Sequence, residues 1–119
     1  MSNILIIGGA GYIGSHVTLE FCEKNNDVFV FDDLSYGKLE NIDTRAEFFK
    51  GSILNLIELE NVFKHVQPST VIHLAALKAA GESMIKPSIY SNTNIIGSLN
   101  ILNMMAKYNV KNIIFSSKI

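Results

Sequence analysis

The feature that most constrains this chain is a run of closely spaced glycines directly after a short apolar stretch. Residues 4–7 read Ile-Leu-Ile-Ile, and residues 8–14 read Gly-Gly-Ala-Gly-Tyr-Ile-Gly. The glycines fit G-x-G-x-x-G counted from Gly9, and G-x-x-G-x-x-G counted from Gly8. This order is typical of a buried strand that turns sharply into a helix, because glycine permits positive φ and close backbone approach. The helix N-terminus then presents unpaired N–H groups and its positive dipole end to a dinucleotide pyrophosphate.

Two carboxylates close the next apolar run. Residues 28–31 read Val-Phe-Val-Phe, and Asp32 and Asp33 follow them. An acid about 20 residues after the glycines accepts hydrogen bonds from the hydroxyls of an adenosine ribose. The same carboxylate repels a 2′-phosphate. The glycines and the acid together therefore predict a site for NAD rather than NADP.

Other interpretations of these residues are weaker. Glycine-rich turns without a ligand are common, and two aspartates after a strand also suit a solvated turn. A phosphate-loop NTPase requires Lys followed by Ser or Thr after the last glycine, whereas this chain has Ser15-His16. The joint occurrence of the glycines and the acid favours the dinucleotide site.

Composition excludes several classes of protein. A chain of 119 residues suffices for one domain with a core. The 10 basic and 11 acidic side chains give a net charge of −1 without a basic stripe, so nucleic acid and membrane surfaces are not expected as partners. The single cysteine, Cys22, predicts a small buried residue and no internal disulfide. The chain opens on no leader and has no apolar run near the ~18 residues of a membrane span, so we expect a cytoplasmic protein.

Apolar runs alternate with helical patterns along the whole chain. We predict strands over 4–8, 28–32, 47–50, 70–74 and 112–116 and helices over 12–24, 54–66 and 87–108. Such alternation predicts an α/β, Rossmann-type doubly wound parallel sheet in the order 3-2-1-4-5. The expected apolar stripes are Ile13, Val17 and Phe21; Leu56, Leu59, Phe63 and Val66; and Ile95, Leu99, Leu102 and Ala106. Ligands of such sheets lie at the carboxyl ends of the strands, where we expect Gly8, Asp32, Ser52, Ala75 and Ser116.

Four segments in this order carry a family resemblance. They are residues 8–16 with the glycines, residues 32–34 (Asp-Asp-Leu), residues 71–83 (Val-Ile-His-Leu-Ala-Ala-Leu-Lys-Ala-Ala-Gly-Glu-Ser) and residues 110–117 (Val-Lys-Asn-Ile-Ile-Phe-Ser-Ser). The chain resembles the amino-terminal part of the extended short-chain dehydrogenase/reductase family, and within it the UDP-glucose 4-epimerase family. The stretch Leu-Lys-Ala-Ala-Gly-Glu-Ser is the part that resembles the epimerases specifically. The resemblance covers nearly the whole chain.

The resemblance implies an NAD-dependent interconversion of UDP-glucose and UDP-galactose, with oxidation at C4 of the sugar and return of hydride to its other face. It implies that Asp32 binds the ribose and that the Lys78 ammonium lies near cofactor phosphate. It also implies a full-length homodimer. The cofactor-binding residues carried over by position are Gly8, Gly11, Tyr12, Ile13, Gly14, Asp32, Asp33, Leu34, Ser35, Tyr36, Gly37, Ser52, Ile53, Leu74, Ala75, Ala76, Leu77, Lys78, Asn94 and Ser116.

Several of these residues have simpler interpretations. A solvated lysine is the alternative for Lys78, whereas Asn94 is a poor helix former whose place in a helix calls for a reason. We expect His73, between two aliphatic residues of a strand, to be a packed core histidine rather than a catalytic one. His16 and His65 have no partner at ligand spacing, so a metal site is not expected.

The chain departs from the family pattern at three places. Ile7 stands where the family usually has threonine, and Ser52 where it usually has an aspartate that meets the adenine amine. Lys118 occupies the place of the catalytic serine, and no Tyr-x-x-x-Lys follows it. We therefore expect a truncated cofactor-binding domain over 1–119 that lacks a sugar-binding domain, has no catalytic residues of its own, is inactive alone and self-associates. Another extended short-chain nucleotide-sugar enzyme, or a non-catalytic NAD-binding module, remains the alternative.

Overall fold

The computed structural model describes residues 2–8, 12–34, 38–74 and 87–116, except for the side chains of Tyr12, residues 87–94 and Ser116. Five parallel strands form one sheet in the order β3-β2-β1-β4-β5. This confirms the predicted fold class and strand order. The strands are β1 (Asn3–Ile7), β2 (Asp27–Asp32), β3 (Glu47–Lys50), β4 (Thr70–Leu74) and β5 (Asn112–Ser116).

Within the described residues, three α-helices connect the strands, as predicted. They are α1 (Tyr12–Glu23), α2 (Leu56–Val66) and α3 (Pro87–Lys107), and a short 3₁₀ helix over Leu39–Asn41 lies in the stretch predicted as a polar loop. The side chain of Asn55 caps α2 by accepting from the N–H groups of Ile57 and Glu58. In the described part of the chain, none of the helices is long and apolar enough to cross a membrane.

Two apolar clusters lie on opposite faces of the sheet, because successive strand residues point to opposite sides. In β1, Leu5 and Ile7 face α2 and α3, whereas Ile4 and Ile6 face the α1 side. Cys22 of α1 is 4% exposed and belongs to the second cluster, which confirms its prediction as a small buried residue. Burial is the main reason that the pKa of its thiol is raised.

The apolar stripe predicted for α3 is wrong in its direction. Ile95, Leu99 and Leu102 are each about half exposed, with relative exposures of 55%, 53% and 48%, and Ala106 is also exposed. The residues that face the sheet are Gly97, Ile101, Met104 and Met105. The helix is apolar on two sides, so the period of its apolar residues does not tell which side meets the sheet.

Smaller corrections apply to the other two helices. In α1, Ile13 is exposed, and Gly14, Thr18 and Cys22 form the buried face, with the Thr18 hydroxyl donating to the Gly14 carbonyl at 2.7 Å. The lack of a side chain at Gly14 suits close approach of this face to the sheet. In α2, Leu56 is exposed. Val62 joins Leu59, Phe63 and Val66 in the core, because residues three, four and seven positions apart lie on the same side of a helix.

A group of three polar side chains, Glu60, Lys107 and Tyr108, joins α2 to the end of α3. The Glu60 carboxylate accepts from the Lys107 ammonium and from the Tyr108 hydroxyl, the latter at 2.6 Å. These two hydrogen bonds lower the pKa of Glu60, while the same carboxylate raises the pKa of Lys107 and of Tyr108. The hydrogen bond from Lys107 to Glu60 joins residues 47 positions apart in the sequence and holds α3 against α2.

Candidate functional site

The carboxyl ends of the strands form one edge, as expected for a parallel sheet. Ile7 pairs with Phe31 on one side and with His73 on the other, and Asp32 pairs with Lys50. Leu74 pairs with Ser116 at the far side. The structure therefore brings Gly8, Asp32, Ser52, Leu74 and the backbone of Ser116 to the same edge, whereas Ala75 lies outside the described residues.

Gly8 makes the turn that leaves β1. Its φ is +91°, and its N–H donates to the Phe31 carbonyl at 2.8 Å, which extends the pairing of β1 with β2 by one bond. A Cβ at this position would stand 2.6 Å from the Leu74 carbonyl oxygen, a backbone atom that cannot swing away. Both the backbone angle and the close approach to β4 therefore require glycine here.

Helix α1 begins four residues after Gly8, at Tyr12. Its first turn carries no acidic side chain, which suits an anion at the helix N-terminus. Ile13 in that turn is 54% exposed. Of the other predicted pyrophosphate residues, Gly14 is buried in α1, while Gly9 and Gly11 lie outside the described part of the chain.

Asp32 closes β2 with a local turn. Its Oδ1 accepts from the Leu34 N–H at 2.8 Å, and Leu34 has a φ of +64°. This bond orients the half-buried carboxylate at the edge of the sheet, while Asp33 is exposed. The predicted site residues Ser35, Tyr36 and Gly37 are outside the described residues.

The loop over residues 51–55, which we call the β3–α2 loop, continues this edge. The Gly51 N–H donates to the Asp32 carbonyl at 3.1 Å, so the loop is bonded to the end of β2. The Ser52 N–H donates to Glu58 Oε1 at 3.0 Å, and the Ser52 hydroxyl accepts from the Leu54 N–H at 3.1 Å. Glu58 was not a predicted site residue, although its place in the first turn of α2 is a signal for such a contact.

The remaining predicted residues belong to the segments after β4. Leu74 is half-buried at the end of β4, and Ala76, Leu77 and Lys78 lie beyond the described residues. Asn94 lies within α3, but its side chain is not described.

His73 is a core residue, as predicted. It is 5% exposed, and its ring meets Phe115 of β5 edge-on with centroids 5.0 Å apart. Burial lowers the pKa of its imidazole from the ordinary value of 6.5, because the charged form loses its hydration. The neutral imidazole therefore suits packing between β1 and β5.

This burial predicts a pH-dependent stability. Because the folded pKa lies below 6.5, the unfolded chain takes up the proton first, so stability is complete above pH 6.5 and falls as the pH drops towards the folded pKa. Urea unfolding between pH 7.5 and 5 should show this slope, and His73→Gln should reduce it. His65→Gln, on the exposed side of α2, is the matched control and should retain it. The Arg45 hydrogen bonds lower the pKa of Asp43 to about 2, so the stability that Asp43 contributes is lost only below its ordinary pKa of 3.8, outside this pH range.

These features fit one half of a dinucleotide. A helix N-terminus free of acidic residues suits a pyrophosphate, and a carboxylate held by its own turn suits ribose hydroxyls. Within the described ranges, no three His, Cys, Asp or Glu side chains gather to hold a metal ion. The observed edge thus carries groups that suit a phosphate-linked nucleoside.

Comparison with known proteins points the same way. Residues 4–118 match the model of the NAD dependent epimerase/dehydratase family. A UDP-glucose 4-epimerase from Pasteurella multocida (strain Pm70) is 41% identical over 121 residues, which cover 96% of this chain and 36% of that relative. The chain thus spans little more than a third of the length of the curated relatives it matches.

Solved structures agree in fold. The crystal structure of UDP-glucose 4-epimerase with UDP-glucose from Thermotoga maritima superposes with a TM-score of 0.91 at 45% identity, covering 98% of this chain and 38% of that one. The UDP-glucose 4-epimerase from Brucella ovis in complex with NAD gives a TM-score of 0.91 at 33% identity, over 98% of this chain and 36% of that one.

Proposed function

This chain belongs to the NAD dependent epimerase/dehydratase family, and we propose that it binds NAD at the edge formed by Gly8, Asp32 and the β3–α2 loop. The observation that carries the proposal is Gly8, whose positive φ and contact with Leu74 leave no room for a side chain where β1 turns towards α1. A turn of this kind brings the backbone close to a pyrophosphate.

Each described element has a separate task in binding. The N-terminus of α1 binds the pyrophosphate through backbone N–H groups, and Asp32 accepts from the adenosine ribose hydroxyls. The turn to Leu34 holds the Asp32 carboxylate in place. When bound, NAD supplies a hydride acceptor for an alcohol carbon and can return the hydride. Lys78 is the proposed contact near the cofactor phosphate, and Asn94 is proposed to hydrogen-bond near the cofactor.

We further propose that the chain supplies the cofactor-binding third of a UDP-glucose 4-epimerase, with UDP-glucose and UDP-galactose as substrates. The proposal rests on relatives of that name and on their much greater length. The residues described here bind and orient the cofactor, and the groups that move protons on the sugar belong to parts of such an enzyme outside these 119 residues.

Calorimetric titration with NAD tests the binding proposal. The 119-residue protein, shown to be folded by circular dichroism, should bind one NAD per chain and bind NADP at least tenfold more weakly, because the Asp32 carboxylate repels the 2′-phosphate. Equal affinity for the two dinucleotides, or no heat with either, would contradict it. A UDP-galactose turnover assay on the same sample should give no product above background.

We also propose that these 119 residues self-associate and that full-length relatives form homodimers. Three consecutive residues of β5, namely Ile113, Ile114 and Phe115, are 39%, 53% and 53% exposed, so both faces of this strand meet solvent. Ile95, Leu99 and Leu102 form a second exposed apolar stripe on α3. Apolar patches beside a sheet edge are typical association surfaces.

Light scattering at increasing protein concentration measures the self-association of the 119-residue chain. The apparent mass should rise above that of one chain, and Ile114→Lys should shift the rise to higher concentration by placing a charge on β5. Ile57→Lys, at a position on α2 that is 74% exposed, is the control and should leave the curve unchanged. A single mass of one chain at all concentrations refutes self-association.

A further inference from the structure

The β3–α2 loop is held in place from two directions. Local hydrogen bonds tie Gly51 to Asp32, Ser52 to Glu58 and Leu54 to Ser52, as described above. The Gly51 bond reaches the end of β2, and the other two lie within the loop or between the loop and α2. They shape the loop at the edge of the sheet, but they do not connect it to the other half of the chain.

Two residues of α3 supply that connection. The side-chain amide of Asn100 donates to the Ile53 carbonyl at 2.9 Å across 47 positions of sequence. One turn earlier, Gly97 is buried, and a Cβ there would overlap the Cδ1 atom of Ile53 and stand 2.7 Å from its Cγ1 atom. Gly97 therefore leaves a space that the Ile53 side chain fills, while Asn100 holds the Ile53 backbone.

We propose that Gly97 and Asn100 are positioning residues for NAD, which act through Ile53 to fix the loop beside the adenine. The inference rests on the proposed function. Asp32 binds the adenosine ribose there, and the loop is bonded to the Asp32 carbonyl through Gly51, so the loop borders the base attached to that ribose.

The physical reason is preorganisation. A ligand that must order a loop on binding loses affinity by the cost of that ordering, whereas a loop already held in place adds none. These bonds hold the loop near its two ends, and the Asn100 amide of α3 adds a bond at Ile53, in the middle of the loop. Holding the loop in place also offsets part of the affinity lost at Ser52, which meets the adenine amine with a neutral hydroxyl where the family usually has a carboxylate.

Asn100→Ala is the main test, with Asn103→Ala as its matched control one turn along the same helix, at an exposed position. Loss of one hydrogen bond should weaken NAD binding about three- to tenfold, with the same factor for ADP-ribose, since both ligands carry the adenosine. Hydrogen exchange of the ligand-free protein should rise over 51–55 in Asn100→Ala and stay at the wild-type rate in Asn103→Ala.

A coupled pair of substitutions separates positioning from general stability. Gly97→Ala should weaken NAD binding because the new methyl displaces Ile53. Ile53→Ala in the same chain removes Cγ1 and Cδ1 and leaves Cβ at 3.6 Å, an ordinary contact, so the double variant should bind NAD more tightly than Gly97→Ala alone. A purely structural role for Gly97 would change the midpoint of unfolding without this rescue of affinity.

The outcomes distinguish this inference from the proposed function. Wild-type protein that binds NAD, together with Asn100→Ala and Gly97→Ala that bind it equally well, overturns the role of α3 alone. A loss for NAD without a loss for ADP-ribose overturns the placement of the loop beside the adenine. Folded wild-type protein that binds neither ligand overturns both proposals.

Discussion

Gly8→Ala should remove detectable NAD binding and lower the free energy of unfolding by about 2 to 5 kcal/mol. Two costs add at this residue. Alanine is strained at a φ of +91°, and its Cβ would stand 2.6 Å from the carbonyl oxygen of Leu74. Relief requires β1 and β4 to separate or the turn to move, and the turn leads to the helix N-terminus that we propose as the pyrophosphate site.

Urea unfolding and calorimetric titration measure the two effects on the same sample. Gly8→Asn is the informative second variant, because asparagine tolerates positive φ better than alanine but carries the same Cβ. We expect Gly8→Asn to remain strongly impaired. Wild-type affinity in either variant would show that the approach of Gly8 to Leu74 is not required for binding.

Asp32→Asn should weaken NAD binding by about 10- to 100-fold. The amide keeps the shape of the carboxylate and an oxygen for the Leu34 N–H, but it loses the negative charge that strengthens hydrogen bonds from the ribose hydroxyls, an effect of about 1.5 to 3 kcal/mol. The preference for NAD over NADP should shrink as well, since the repulsion of a 2′-phosphate disappears.

Asp27→Asn is the matched control for this change. Asp27 begins the same strand that Asp32 ends, so it lies at the opposite edge of the sheet. Titration with NAD and NADP should give wild-type affinities for Asp27→Asn. If Asp32→Asn and Asp27→Asn bind NAD alike, the carboxylate at the end of β2 is not the ribose contact.

Much of the fold could be predicted from the chain itself. Short apolar runs at regular intervals predicted all five strands, and the parallel order followed from right-handed crossovers between them. Gly8 and Asp32 could be assigned to one edge because every strand of a parallel sheet ends on the same side. The burial of His73 followed from its place between two aliphatic strand residues.

The helix faces could not be predicted in the same way. Helix α3 carries apolar residues on two sides. Ile101 and Met104 are buried, whereas Leu99 and Leu102 are exposed. The spacing of apolar residues indicates that a helix has an apolar face. When a helix has two such faces, the one that is buried depends on how the helix lies against its neighbours. In α3 the buried side also includes Gly97, which receives the Ile53 side chain of the β3–α2 loop.

The sequence by itself determined the strand–turn–helix that opens the chain, the order of the sheet and the acid at the end of β2. These follow from local rules, namely the angles that glycine permits and the two periods of strand and helix. Only the tertiary structure decided that Asn100 of α3 bonds to Ile53, that Gly97 receives its side chain, and that the Leu74 carbonyl closes on Gly8. Such contacts join residues tens of positions apart, and their distances depend on the packing of the whole sheet against its helices.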